Sequence, residues 1–172
     1  TSTGTVTGNT IGISTFNDTS GTDLTVDAVD VTSGIDGIIA RNNGSGALSV
    51  TTNGAITGTN GTGIFARNSG TDLTIAAAAA VSGGNGINAR NDGRGALSVT
   101  ATGAVTGTSG DGVYARNAGT NLTISTASVS GSRNGIYADN FGTGDLLVTA
   151  TGPVTGTTGG GIFARNRSAG VN

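Results

Sequence analysis

The sequence lacks cysteine, histidine, methionine, tryptophan, lysine and glutamate, and it contains one proline among 172 residues. Without cysteine the chain has neither disulfides nor thiolate metal ligands. Acid–base enzymes, including polysaccharide lyases and hydrolases, need clustered Asp, Glu, Lys or His side chains. Here the only acidic side chains are aspartates, which are spread along the chain. We therefore predict a non-enzymatic protein with no metal and no cofactor.

Charge and hydropathy exclude further classes of function. Eight arginines and ten aspartates give a net charge of −2, which provides no basic field for nucleic acid. No apolar run approaches the roughly 18 residues of a membrane-spanning helix. No signal peptide is visible, and the first residue is Thr1. Both ends interrupt a repeat, so we expect residues 1–172 to be one segment of a longer repetitive protein.

Glycine and β-branched residues dominate what is present. The 33 glycines, interspersed with Thr, Val and Ile, favour short strands and tight turns over helices. The run of five alanines from Ala76 is too short to nucleate a helix alone. We interpret it as a corner built from small residues.

Three short apolar blocks recur about every 24 to 25 residues. The block Gly-Ile-x-Ala-Arg-Asn has its alanines at spacings of 26, 23, 26, 23 and 26, and the blocks Leu-x-Val/Ile and Val/Ile-Thr/Ser repeat in step with it. The alternating spacings add up to a longer period of 49 residues. Three segments per period, each stacked on its own copies, are typical of a solenoid.

Alternation within each block predicts which side chains face inward. In Ile64-Phe65-Ala66-Arg67, the first and third residues share one face and the second and fourth share the other. The Ile64 column is aliphatic in every repeat, so it must face the interior. We predict an all-β, right-handed parallel β-helix of six to seven coils with three short strands per coil, because parallel connections favour that hand.

Polar residues recur at two turn positions of the repeat. Stacked amides can hydrogen-bond along the axis, and we predict such a ladder from the asparagines that follow each Ala-Arg or Ala-Asp pair, namely Asn42, Asn68, Asn91, Asn117, Asn140 and Asn166. A second position, which we interpret as tolerant of any small residue, holds Asp36, Thr62, Asn85, Asp111, Asn134 and Gly160.

The repeats Gly-Ile-Phe-Ala-Arg-Asn-x-Gly-Thr-Asp-Leu-Thr-Ile and Gly-Ala-Val-Thr-Gly-Thr-x-Gly-x-Gly resemble passenger-domain repeats of bacterial autotransporters, particularly those of α-proteobacteria. The resemblance covers nearly the whole chain, with the segment before Asp18 the most degenerate. It implies a secreted or cell-surface rod of a Gram-negative bacterium, exported by a C-terminal outer-membrane barrel of the parent chain.

One outward face combines aromatic and arginine side chains. We define it as the stripe, formed by Ile39, Phe65, Tyr114, Tyr137, Phe163, Arg41, Arg67, Arg90, Arg116 and Arg165. Such a face can stack on sugars, bind anions through arginine forks, or associate with a second copy. Alternatively, the arginine stems merely cover the rings and keep the face soluble.

We predict a structural rod or adhesin segment that contacts a host matrix, a cell surface or a glycan. A self-assembling extracellular fibre is the first alternative. The second is an ice-binding solenoid, because Thr57, Thr106 and Thr155 each pair with a second outward Thr two residues later.

Overall fold

The computed structural model describes residues 1–167, which form twenty β-strands and no helix. The strands build three parallel sheets. Sheet 1 contains β1(Val6–Gly8), β4(Val31–Ser33), β7(Ile56–Gly58), β10(Val81–Gly83), β13(Val105–Gly107), β16(Val129–Gly131) and β19(Val154–Gly156). Sheet 2 contains β2(Ile11–Asn17), β5(Asp36–Asn42), β8(Ile64–Asn68), β11(Ile87–Asn91), β14(Val113–Asn117), β17(Ile136–Asn140) and β20(Ile162–Asn166). Sheet 3 contains β3(Leu24–Ala28), β6(Leu48–Thr52), β9(Leu73–Ala77), β12(Leu97–Ala101), β15(Leu122–Thr126) and β18(Leu146–Ala150).

Each coil contributes one strand to each sheet in turn. Coil 1 is β1 to β3, coil 2 is β4 to β6, and the series continues through six complete coils to β19 and β20 of coil 7. Every strand pairs in parallel with the strand three elements away, so Ala89 lies between Ala66 and Ala115. The prediction of an all-β solenoid with three strands per coil is confirmed.

The core consists of continuous columns of aliphatic side chains. The sheet 2 column is fully buried at Ile38, Ile64, Ile87, Val113 and Ile136. The Leu73 column of sheet 3 and the Val81 column of sheet 1 converge on it, and small alanines such as Ala66 and Ala89 follow it along the strand. A single coil could not bury these side chains, so the stack of neighbouring coils supplies the apolar burial that stabilises each one.

The alanine run forms no helix. Ala76 and Ala77 complete strand β9, and the next three alanines make the corner that leads to β10. Ala77 occupies the inward slot of Ala101 and is buried with it. The prediction of a small-residue corner therefore holds for the last three alanines, whereas the first two belong to the strand.

Candidate functional site

The asparagine that ends each sheet 2 strand belongs to a hydrogen-bonded ladder along the solenoid axis. Asn42 Nδ2 donates to Asn68 Oδ1 at 2.9 Å, and Asn68 Nδ2 donates to Asn91 Oδ1 at 3.2 Å. The ladder continues through Asn117, Asn140 and Asn166 at 3.1, 3.0 and 3.2 Å. Asn166, at the last described coil, is exposed, whereas the five preceding members are fully buried.

The ladder includes one residue that the sequence analysis missed. Asn17 Nδ2 donates to Asn42 Oδ1 at 2.8 Å, so the ladder starts one coil earlier than predicted. The turn that follows Asn17 is one or two residues longer than the equivalent turns, which obscured the repeat. In the inner coils each Nδ2 also donates to a turn carbonyl, as Asn91 does to Gly95 at 3.1 Å. These side-chain amides are therefore hydrogen-bonded within the protein.

A second set of axial hydrogen bonds lies at the turn between sheets 2 and 3. Asp23 Oδ1 accepts from the Ala47 N–H of the next coil at 2.7 Å, and Asp72 Oδ1 accepts from Ala96 N–H at 2.7 Å. Asn121 and Asp145 repeat the bond at 2.8 Å. These bridges join coils 1 and 2, coils 3 and 4, and coils 5 and 6.

The turn between sheets 1 and 2 carries the complementary bridges. Asp36 Oδ1 accepts from Thr62 N–H at 2.7 Å, which joins coils 2 and 3. The same bond joins coils 4 and 5, and coils 6 and 7, through the pairs Asn85–Asp111 at 2.8 Å and Asn134–Gly160 at 3.0 Å. Asp111 also accepts, from Asn134 N–H of the next coil at 3.1 Å, so four of the six residues at this position act as side-chain acceptors, a role that the interpretation of it as tolerant of any small residue left out.

Glycine precedes each receiving N–H of these two sets because the acceptor approaches closely. A Cβ built on Gly46 would lie 2.1 Å from Asp23 Oδ1, and one built on Gly95 would lie 2.1 Å from Asp72 Oδ1. No described glycine has a positive φ, so close approach between coils, and not a left-handed backbone, explains glycine at these turns.

The stripe runs along the outer face of sheet 2, where the strand register aligns its residues in two columns. Phe65 lies beside Ile39 and Asn88, and Tyr137 lies beside Tyr114 and Phe163. In the second column Arg41, Arg67, Arg90 and Arg116 occupy successive coils, Asp139 takes the next coil, and Arg165 follows.

Two aspartates neutralise part of the arginine column. Asp92, which follows β11, binds Arg67 Nε at 2.8 Å and Arg90 Nε at 2.7 Å. Burial raises the pKa of Asp92, but hydrogen bonds from Arg90 and Arg67 outweigh this and leave that pKa below its usual value. Asp139 is nearly buried and binds Arg165 at 2.8 Å and Arg167 at 3.0 Å. The repeat pattern did not identify Asp92 as a partner of these arginines, although Asp92 lies directly after a ladder asparagine.

The rings of the stripe stack on one another. Tyr114 and Tyr137 have centroids 5.1 Å apart with an interplanar angle of 7°, and Tyr137 and Phe163 are 5.0 Å apart at 12°. Arg41 lies over Phe65 at 5.2 Å, and Arg165 lies over Phe163 at 4.8 Å. Ring faces therefore cover ring faces within the column, whereas Phe163 at the last described coil remains 39% exposed.

Phe141 also lies beside the stripe, although the repeat pattern did not place it there. Its ring lies between the guanidinium groups of Arg116 at 4.5 Å and Arg167 at 4.7 Å. Phe141 follows a ladder asparagine, as Asp92 does, so the position after that asparagine forms a third column beside the arginines.

An ion pair between a buried aspartate and an exposed arginine lies at the edge of this face. Asp111 is fully buried and accepts from Arg133 Nη2 at 2.6 Å and from Asn134 Nδ2 at 2.8 Å. Burial raises the pKa of Asp111, but the hydrogen bonds from Arg133 and Asn134 outweigh it and hold that pKa below the usual value.

The outward threonines of sheet 1 and of the turn after it form two rows, which differ in their hydrogen bonds. Thr57, Thr106 and Thr155 lie in that row with their equivalents from the other coils. Thr59, Thr108 and Thr157 instead donate their hydroxyls to backbone carbonyls of the preceding coil, at 2.9, 3.0 and 3.4 Å. The hydroxyl protons of this second row are therefore hydrogen-bonded within the protein.

Residues 1–167 contain no group of three or more Asp, Glu, His or Cys side chains arranged to hold a metal ion. No helix capable of spanning a membrane was found in the same part of the chain. Comparison with protein-family models, curated proteins and solved structures found no match to this chain.

Proposed function

We propose that the chain is a non-enzymatic segment of an extracellular rod, as in an autotransporter passenger, that holds the stripe outward as a surface for contact. The observation that carries the proposal is the axial use of polar side chains. The asparagine ladder and the two sets of bridges bind one coil to the next, so the residues best placed for chemistry serve the stack. The repeat motifs that resemble autotransporter passengers support the extracellular location.

The lining of one surface groove is consistent with a structural role. One groove of about 430 Å³ is lined by Ser45, Ser69, Thr71 and Arg94 among others, and Arg94 is the one ionisable side chain in that lining. Acid–base catalysis requires a positioned acid or base beside the reacting group, and a single arginine with hydroxyls provides neither. The rod therefore remains the function that the geometry supports best.

The modular rod is tested by removing coils. Deleting residues 73–121 joins Asp72 to Leu122 and removes one whole 49-residue period. We expect a monomer that unfolds cooperatively in urea with a smaller m-value, because the exposed area scales with length. The matched control deletes residues 73–96 and joins Asp72 to Leu97. It retains more of the chain, yet it sets Asp72 against Thr120, where the native bridge requires glycine.

The control variant should therefore be less stable than the shorter one. Light scattering on both variants also detects the fibre alternative as concentration-dependent association. Antibodies against the chain should label intact cells that produce it. Aggregation of the 49-residue deletion, or labelling only after permeabilisation, contradicts the proposal.

A further inference from the structure

Positive charge is concentrated on the stripe, although the whole chain is acidic. Arg41, Arg67, Arg90, Arg116 and Arg165 lie on it, and Arg167 joins them through Asp139 and Phe141. These six arginines together with Asp92 and Asp139 give this face a net charge of +4. The rest of the chain has a net charge of −6, so the whole chain has −2. Positive charge is therefore concentrated on one face of the solenoid, whereas most of the other aspartates lie in turns.

Four successive coils present arginine forks that are free on this face. Asp92 holds Arg67 and Arg90 through their Nε atoms alone, so the paired Nη groups make no hydrogen bond to residues 1–167. Arg41 and Arg116 have no carboxylate partner in the same part of the chain, and each lies over a phenylalanine ring. The arginines are thus positioned from behind by protein contacts, with their outer N–H groups available.

Because neighbouring coils are about 4.8 Å apart, these forks form a straight row of cations about 14 Å long. Paired Nη groups bind carboxylate or sulfate oxygens in a bidentate manner. We propose that the stripe binds a linear anionic polysaccharide laid along the solenoid axis, with its carboxylate or sulfate groups on Arg41, Arg67, Arg90 and Arg116. This inference rests on the proposed role of the rod as a contact surface.

Two other anionic partners fit the face less well. Single-stranded nucleic acid needs exposed ring faces for base stacking, and an arginine or a neighbouring ring lies over Phe65, Tyr114 and Tyr137. A second copy would need an acidic row of similar length. Half of its ten aspartates, Asp18, Asp23, Asp27, Asp30 and Asp36, instead lie in the first two coils, and the others are dispersed along the chain.

The test measures binding of the intact chain to polygalacturonate and to dextran sulfate, with neutral dextran as the blank, from 20 to 200 mM NaCl. We expect binding to at least one of the two anionic polymers at 50 mM NaCl. Arg116→Gln should weaken it about three- to tenfold and reduce the slope of log K against log salt by about 0.7 to 0.9, the value for one lost charge contact. Arg41→Gln should act similarly. The matched control is Arg94→Gln, which makes the same charge change in the turn after β11, outside the stripe, and should alter binding less than twofold.

Circular dichroism confirms that each variant is folded before binding is compared. An equal loss from Arg94→Gln overturns the inference, because it would show a diffuse field and not a site. Stronger binding to poly-dT or polyglutamate than to both polysaccharides also overturns it. If the folded wild type binds no polysaccharide at 50 mM NaCl, the inference fails while the rod, tested independently by the coil deletions, stands.

Discussion

The central asparagine of the ladder provides the sharpest test of how the solenoid is held together. Asn91 is fully buried in β11, where Nδ2 donates to Gly95 O and Asn117 Oδ1, both at 3.1 Å. Its Oδ1 accepts from Asn68 Nδ2 at 3.2 Å and from Gly93 N–H at 3.3 Å. Asn91→Ala removes all of these bonds in one substitution and leaves a buried gap in the turn.

The expected loss of stability depends on which hydrogen-bonding groups lose their partners. Each neutral hydrogen bond contributes about 1 kcal/mol net, and a buried donor without a partner costs about 1–3 kcal/mol. Asn68 and Asn117 each retain another bond in their own turn, whereas Gly93 N–H loses the acceptor that Asn91 supplies. We therefore expect Asn91→Ala to cost about 4 kcal/mol, which lowers Tm by about 10 °C in a chain of this length.

Urea unfolding followed by circular dichroism measures the change. The matched control is Asn88→Ala, because Asn88 lies on the same strand but faces outward and should change the free energy of unfolding by less than about 0.5 kcal/mol. Asn91→Asp, which keeps the shape but loses the amide donor, should be at least as harmful as Asn91→Ala at pH 7. If Asn91→Ala lies within about 1 kcal/mol of Asn88→Ala, the ladder does not stabilise the stack as argued.

Two further predictions concern the aspartates. The pKa values of Asp92 and Asp111 are lower in the folded chain than their ordinary values. These carboxyl groups therefore stabilise the fold fully above about pH 4, where unfolded carboxyl groups titrate. The stabilisation is lost as the pH falls through their pKa values in the folded chain. Urea midpoints between pH 7 and pH 3 should therefore fall for the wild type, and fall less for Asp92→Asn/Asp111→Asn; parallel curves would show that other groups dominate. Asp72→Ala should cost about 1 kcal/mol in urea unfolding through loss of the bridge to Ala96 N–H, whereas Ala96→Asp should bring no gain. A stabilising Ala96→Asp would contradict the proposed need for glycine opposite each acceptor.

The fold could be predicted from the sequence because every coil repeats the same physical problem. The Ile64 and Leu73 columns are apolar in nearly every copy, and a one-residue slip would expose them, so spacing alone specifies the register. The columns of the stripe follow from that register. Their partners do not, because Asp92 and Phe141 lie in a turn whose path the strand pattern does not define. The stacking of rings on rings likewise depends on side-chain orientation within the sheet.

The 49-residue period was visible in the sequence, but its cause lies in contacts between coils. The two sets alternate, at the sheet 2–3 turn for coils 1–2, 3–4 and 5–6 and at the sheet 1–2 turn for the others. Coils 5–6 have one further bond, from Asn134 N–H to Asp111 Oδ1 at 3.1 Å, at the sheet 1–2 turn. The acceptor needs Asp or Asn in one coil and glycine before the receiving N–H in the next. Within each set the accepting coil and the receiving coil therefore carry different turn sequences, and inserting one coil alone would break this alternation. Two coils are the smallest unit that restores both turns, so the chain is physically a stack of coil pairs.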